Sequence, residues 1–91
     1  MVLTLEEAKL YLRVDGAEED ALITKFIMVA EDICEGILRF TLTDFTIIPE
    51  AVKQSIFYAV ACLYEQRENL DIRSMIEVMT RLLFAYRQES W

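Results

Sequence analysis

The sequence predicts an all-α fold: a small bundle of about four helices with one extended loop over residues 39–48. Apolar residues recur at helical spacing along most of the chain. Helix-opening capping boxes stand at Thr4-Leu5-Glu6-Glu7 and Ser74-Met75-Ile76-Glu77. Only 2 glycines and 1 proline interrupt 91 residues, a length that suits one domain spanning 1–91.

In the first element, the Thr4 hydroxyl can accept from the amide of Glu7, whose carboxylate can reach back to Thr4. Leu5, Ala8 and Leu12 then share a face, so the pattern predicts a short helix over 5–13. Asp15-Gly16 is expected to break it, with Asp15 capping the next helix and Glu18 as its reciprocal partner.

The second helix is predicted over 17–38. Leu22, Phe26, Val29, Ile33 and Ile37 make the expected core stripe. A second apolar stripe, Ile23, Ile27, Cys34 and Leu38, lies about 100° around the helix and calls for another surface. Asp20, Thr24, Glu31 and Glu35 form the polar face.

Residues 39–48 lose helical periodicity, and the β-branched Thr41, Thr43, Thr46, Ile47 and Ile48 predict extended chain. Pro49 pre-sets the start of a third helix, 49–68, with Glu50 in its first turn. Val52, Ile56, Ala59, Val60 and Leu63 line one side, while Phe57, Ala61 and Tyr64 line another. A helix apolar on nearly every side is central in its fold or sandwiched in an assembly. Asn69-Leu70-Asp71 reads as a turn. A fourth helix follows from Ser74 to about Arg87, with Met75, Ile76, Met79, Leu82, Leu83 and Tyr86 as its stripe.

Composition narrows the function. The apolar share is 55%. Recounted with glycine in place of tyrosine it is about 53%, above the usual ~45–50%, which points to a partner surface. Sixteen acids against nine bases give −7, which disfavours nucleic-acid binding and docking on anionic membranes. The acidity is uneven. Residues 1–38 hold nine acids and three bases; residues 39–91 hold seven and six.

Histidine is absent, which excludes Ser-His-Asp and Cys-His catalysis and HExxH zinc sites. Gly16 and Gly36 stand alone, so no glycine-rich phosphate loop exists. Glu18-Glu19-Asp20 lacks the alternating acids of an EF-hand and reads as helix capping. Cys34 and Cys62 sit in apolar helical patterns and read as free thiols rather than a disulfide or metal pair. Catalytic residues, metals and cofactors are expected to be absent. Charges at Glu6, Glu7 and Lys9 interrupt any secretory leader, and Gln54–Tyr64 is about half a ~20-residue membrane span, so a soluble, intracellular chain is expected. Tyr58 and Tyr64 suit either partner anchoring or a core position with hydroxyl partners.

Several runs resemble one family. Thr4-Leu5-Glu6-Glu7-Ala8-Lys9, Tyr11-Leu12-Arg13-Val14-Asp15 and Glu19-Asp20-Ala21-Leu22-Ile23 look like the opening of tailed-phage head–tail connector (head-completion adaptor) proteins. Pro49-Glu50-Ala51-Val52-Lys53-Gln54-Ser55-Ile56 and Leu63-Tyr64-Glu65-Gln66-Arg67-Glu68 resemble their central helix. Leu82-Leu83-Phe84-Ala85-Tyr86-Arg87 is similar to their closing Leu-Leu-x-x-Tyr-Arg element. Asn69–Val78 is shorter than the insert of many relatives.

The resemblance implies a non-enzymatic virion protein of the phage neck, assembled in the host cytoplasm. It implies a homo-oligomeric ring of about a dozen copies. Its partners would be the portal protein and the next tail component, with DNA passing through and not specifically bound. Ile23, Ile27, Leu38, Phe57 and Tyr64 are then the expected subunit interface. Phe40 and Phe45 either insert into a neighbour or close the chain's own core. Asp20, Glu31 and Glu35 are the expected channel-facing acids, since like charge would keep a duplex from adhering. A small acidic regulatory or antitoxin-like protein binding one partner is the alternative. An enzyme working through carboxylates alone is the least supported class.

Overall fold

Glu7 donates nothing from its side chain, yet it secures the first helix from both directions. Its amide donates to Thr4 Oγ1 at 3.1 Å, and its carboxylate accepts from the Thr4 amide at 3.1 Å. The computed structural model describes residues 3–39, 42, 45, 47–66 and 69–84. Among these residues four helices follow in order: α1 (Leu5–Leu12), α2 (Asp20–Leu38), α3 (Glu50–Glu65) and α4 (Ile72–Leu83). The described residues contain no strand. The all-α expectation holds.

α1 ends earlier than the Asp15-Gly16 break. Arg13 adopts a left-handed conformation (φ 61°, ψ 43°), and its amide turns back to the carbonyls of Lys9 and Leu10. Arg39 closes α2 in the same way at φ 68°, donating to the Glu35 carbonyl at 2.8 Å. α2 begins at Asp20 rather than 17, and Asp15 does not cap it. Glu19 is the N-cap but makes no capping bond, because its carboxylate accepts from the Tyr64 hydroxyl of α3 at 2.6 Å.

α4 begins at Ile72, ahead of the expected Ser74 box. Asp71 caps it, accepting from the Ser74 amide at 3.3 Å and the Ser74 hydroxyl at 2.9 Å. Ser74 therefore serves the cap as a donor. Leu82, expected in the core stripe, is 38% exposed. Tyr86 and the expected helix end at Arg87 lie outside the described residues.

α3 packs against α1, α2 and α4. From Ala51 to Tyr64 only Gln54 is exposed, so the helix with apolar residues on nearly every side is the central one. Its inner face, Val52, Ile56, Ala59 and Val60, meets Ile23, Ile27, Ala30, Cys34 and Leu38 of α2 and Met75, Met79 and Leu83 of α4 in one hydrophobic cluster. Ala8 of α1, Leu3 and Leu42 complete it. Each fully buried Ile or Leu contributes about 1.5–3 kcal/mol. The molecule is thin, with extents of 45 × 30 × 16 Å.

This core corrects the phase of α2. Ile23, Ile27 and Leu38, expected on an outer assembly surface, are fully buried, and the Leu22–Ile37 stripe sits on the flank. Both stripes share one spacing. The buried one also includes Ala30 and Cys34 and joins the core cluster with the inner face of α3.

In the 39–48 segment, the Phe45 amide donates to the Leu42 carbonyl at 3.2 Å, and residues 40, 41, 43, 44 and 46, expected in the extended chain, lie outside the described residues. Leu42 is buried and Ile47 is 83% exposed.

Candidate assembly surface

The acidic flank of α2 is committed to the chain's own fold. Glu31 accepts from the backbone amide of Leu3 at 3.1 Å. One turn on, Glu35 accepts from the amide of Leu42 at 2.7 Å. Each carboxylate thus fixes the backbone of a segment whose leucine side chain plugs the core. Hydrogen bonds to charged groups contribute about 1.5–3 kcal/mol, which outweighs the few tenths lost to the Glu31–Glu35 repulsion. Asp20 Oδ1 lies 2.7 Å from the Lys9 ammonium, in an ion pair joining the last turn of α1 to the first residue of α2. Lys9 favours the α1 C-terminus and Asp20 the α2 N-terminus, so both helix dipoles reinforce the pair.

The two carboxylates also act on their neighbour. Burial foremost, then the charges of Glu35 and Glu31, pushes the Cys34 thiol up to about 12. Cys34 is a buried free thiol held in its unreactive form, and Cys62 is free as well. The Tyr58 hydroxyl interacts with the Cys62 thiol one turn along α3, which together with burial raises its pKa. Tyr64 has a hydroxyl partner within the chain, the Glu19 carboxylate at 2.6 Å.

Of the expected interface residues, Phe57 is half-buried and stacks on Tyr11 of α1, with ring centroids 4.8 Å apart and planes 27° apart. Tyr64 and Phe45 are also half-buried. Phe40 lies outside the described residues.

The uncovered apolar groups are elsewhere. Along α2 the half-buried Leu22, Phe26, Ile33 and Ile37 run beside Val29 and Met28, which are 43% and 55% exposed. On α1, Leu10 is 81% exposed. On α4, Ile72 and Leu82 are 50% and 38% exposed, and Phe84 just beyond is 66% exposed. An open groove of about 480 Å³ lies between α1 and the start of α2. Sequence reasoning missed these, although Leu10 sits off the Leu5–Ala8–Leu12 face and was therefore readable as surplus. The described residues hold no acid, cysteine or histidine cluster able to bind a metal, and no helix among them is long and apolar enough to cross a membrane.

Apolar groups thus stay exposed on three of the four helices. The family model for phage gp6-like head-tail connector proteins matches residues 2–88. The chain belongs to that family. No curated protein and no solved structure matches it. As a connector it is a structural protein of the phage head–tail junction, and its contacts are with other head and tail proteins.

Proposed function

We propose that this connector assembles into a closed ring of about a dozen copies, joined by repeated head-to-tail contacts. The ring sits between the portal and the next tail component, extends the DNA channel and carries out no catalysis. The observation that carries this reading is the exposed apolar set on a connector-family chain: Met28 and Val29 of α2, Leu10 of α1, and Leu82 and Phe84 at the end of α4.

Within the ring, the acid-bearing flank of α2 faces the lumen. Glu31, Glu35 and Asp20 are bonded within the chain, and Asp32 beside them is exposed. Because Glu31 and Glu35 hold the fold, Asp32→Lys is the variant that reads the lumen. It is expected to assemble normally and to slow DNA passage at low salt, where screening is weakest.

Native mass measurement with and without portal protein tests the ring. A closed oligomer of one defined mass is expected. A chain that stays monomeric at high concentration with portal present overturns the proposal.

A further inference from the structure

We propose that the groove between α1 and the start of α2 receives the α4 end of a second copy of this chain. The inference rests on the ring reading and names the contact that would build the ring. The groove is lined by the apolar Leu5, Leu10 and Val14, and its charged lining is acidic in balance, with Glu6, Asp15 and Asp20 against Lys9 and Arg13. Leu10 is too exposed to serve its own subunit's core. Lys9, also in the lining, is already paired with Asp20.

The complementary surface is on the same chain. Phe84 and Leu82 are exposed at the end of α4, and Arg81 lies in the helix's last turn. Arg73, Glu77 and Arg81 follow at i, i+4 and i+8, so the solvent side of α4 is basic in balance. Residues 5–20 carry six acids against two bases. An aromatic ring flanked by a guanidinium suits an apolar groove edged by carboxylates, because the apolar group supplies area and the rim charges set register. A volume of 480 Å³ accommodates a Phe ring with the stem of an arginine.

The two patches differ from one another. A contact between them leaves one groove and one α4 end unfilled at each step, which propagates a chain of copies instead of closing a two-fold dimer. Facing copies would place Phe84 on Leu10 and Arg81 beside Glu6 and Asp15.

The test uses the full chain with Leu10→Cys and Phe84→Cys together, treated with a mild oxidant or a short bis-maleimide, and the wild type as control. A covalent ladder of multimers is expected from the double variant. A mixture of the two single variants should stop at dimers, and each single variant alone should stay uncrosslinked. Leu10→Asp and Phe84→Asp, both at exposed positions, should keep their helix content and weaken assembly by about tenfold or more. Arg81→Glu should also weaken assembly, and combining it with Glu6→Lys and Asp15→Lys should restore it.

Dimers from Leu10→Cys alone would show a two-fold contact and overturn the proposal. Crosslinks to portal or tail protein in place of a second copy would overturn it too. Rings that form as readily with both aspartate variants as with wild type would remove this contact and leave the ring reading standing. A wild type that never assembles would remove both.

Discussion

The two flanks of α2 look alike in cost and differ in use. One carries Glu31 and Glu35, a like-charge pair one turn apart that a sequence reader assigns to solvent. The other carries Leu22, Phe26, Ile33 and Ile37, which the same reader assigns to the core. The acids turn out to be occupied at home, holding the Leu3 and Leu42 amides. The apolar row is only half covered. In this small helical protein, polar character at a surface marks internal fastening, and apolar character marks what is left over for others.

The most severe way to break that contrast is to place a charge on either side of it. Ile27→Asp buries an unpaired carboxylate where α2 meets α3 and is expected to cost more than about 4 kcal/mol, enough to unfold a domain of this size. Val29→Asp, two residues on and 43% exposed, should leave the circular-dichroism spectrum and urea midpoint nearly unchanged while lowering the assembled mass. Equal unfolding by both variants would erase the distinction between the flanks.

The acidic side is tested by Glu35→Ala. Losing the 2.7 Å bond to Leu42 is expected to cost about 1.5–3 kcal/mol and to speed hydrogen exchange at the Leu42 amide, with little change at the α3–α4 contact. An unchanged exchange rate at Leu42 would mean that Glu35 holds nothing.

Ser55 is the exception that sharpens the rule. It is fully buried on α3, and its hydroxyl has no hydrogen-bond partner. Ser55→Ala is therefore expected to stabilise by about 1 kcal/mol, through a lost desolvation penalty and a better helix former. A destabilised variant in urea titrations would show that the hydroxyl is bonded after all.

The smallest effect belongs to the caps. Hydrogen bonds from Thr4 hold the Glu7 carboxyl below its usual 4.5, and those from Ser74 hold Asp71 below 3.8. A carboxyl depressed in the folded state stabilises fully above its unfolded value and loses that contribution as pH falls through the folded one. Stability measured between neutral pH and pH 3 should thus decline more gently in Glu7→Gln and Asp71→Asn than in wild type. Parallel acid limbs would deny the caps any role.

Local signals were legible in the sequence, and phase was not. The Thr4–Glu7 box is a four-residue statement and appears as written. Pro49 marks the start of α3, and the apolar girth of that helix places it at the centre. The two stripes of α2 carry no such mark. Their spacing is identical, so which of them faces α3 is a property of the pair of helices and not of either alone. The left-handed Arg13 and Arg39 give no warning, since glycine is the residue that advertises such an exit. Glu31 and Leu3 are 28 positions apart, beyond the range at which any pattern along one helix could pair them. The candidate surface was misplaced for the same reason: once α2 turns by one residue, Ile23 and Ile27 go inside and Val29 comes out.

The thinness of the body bears on temperature. The backbone spans only 16 Å along its shortest axis, and apolar side chains such as Leu10, Met28 and Phe84 wait exposed at the faces. Contacts made by covering such area draw on a driving force that is entropic near room temperature and fades as water is cooled. Association of these slabs should therefore carry a negative heat-capacity change, loosening in the cold and tightening again on gentle warming, before heat begins to unfold the helices themselves.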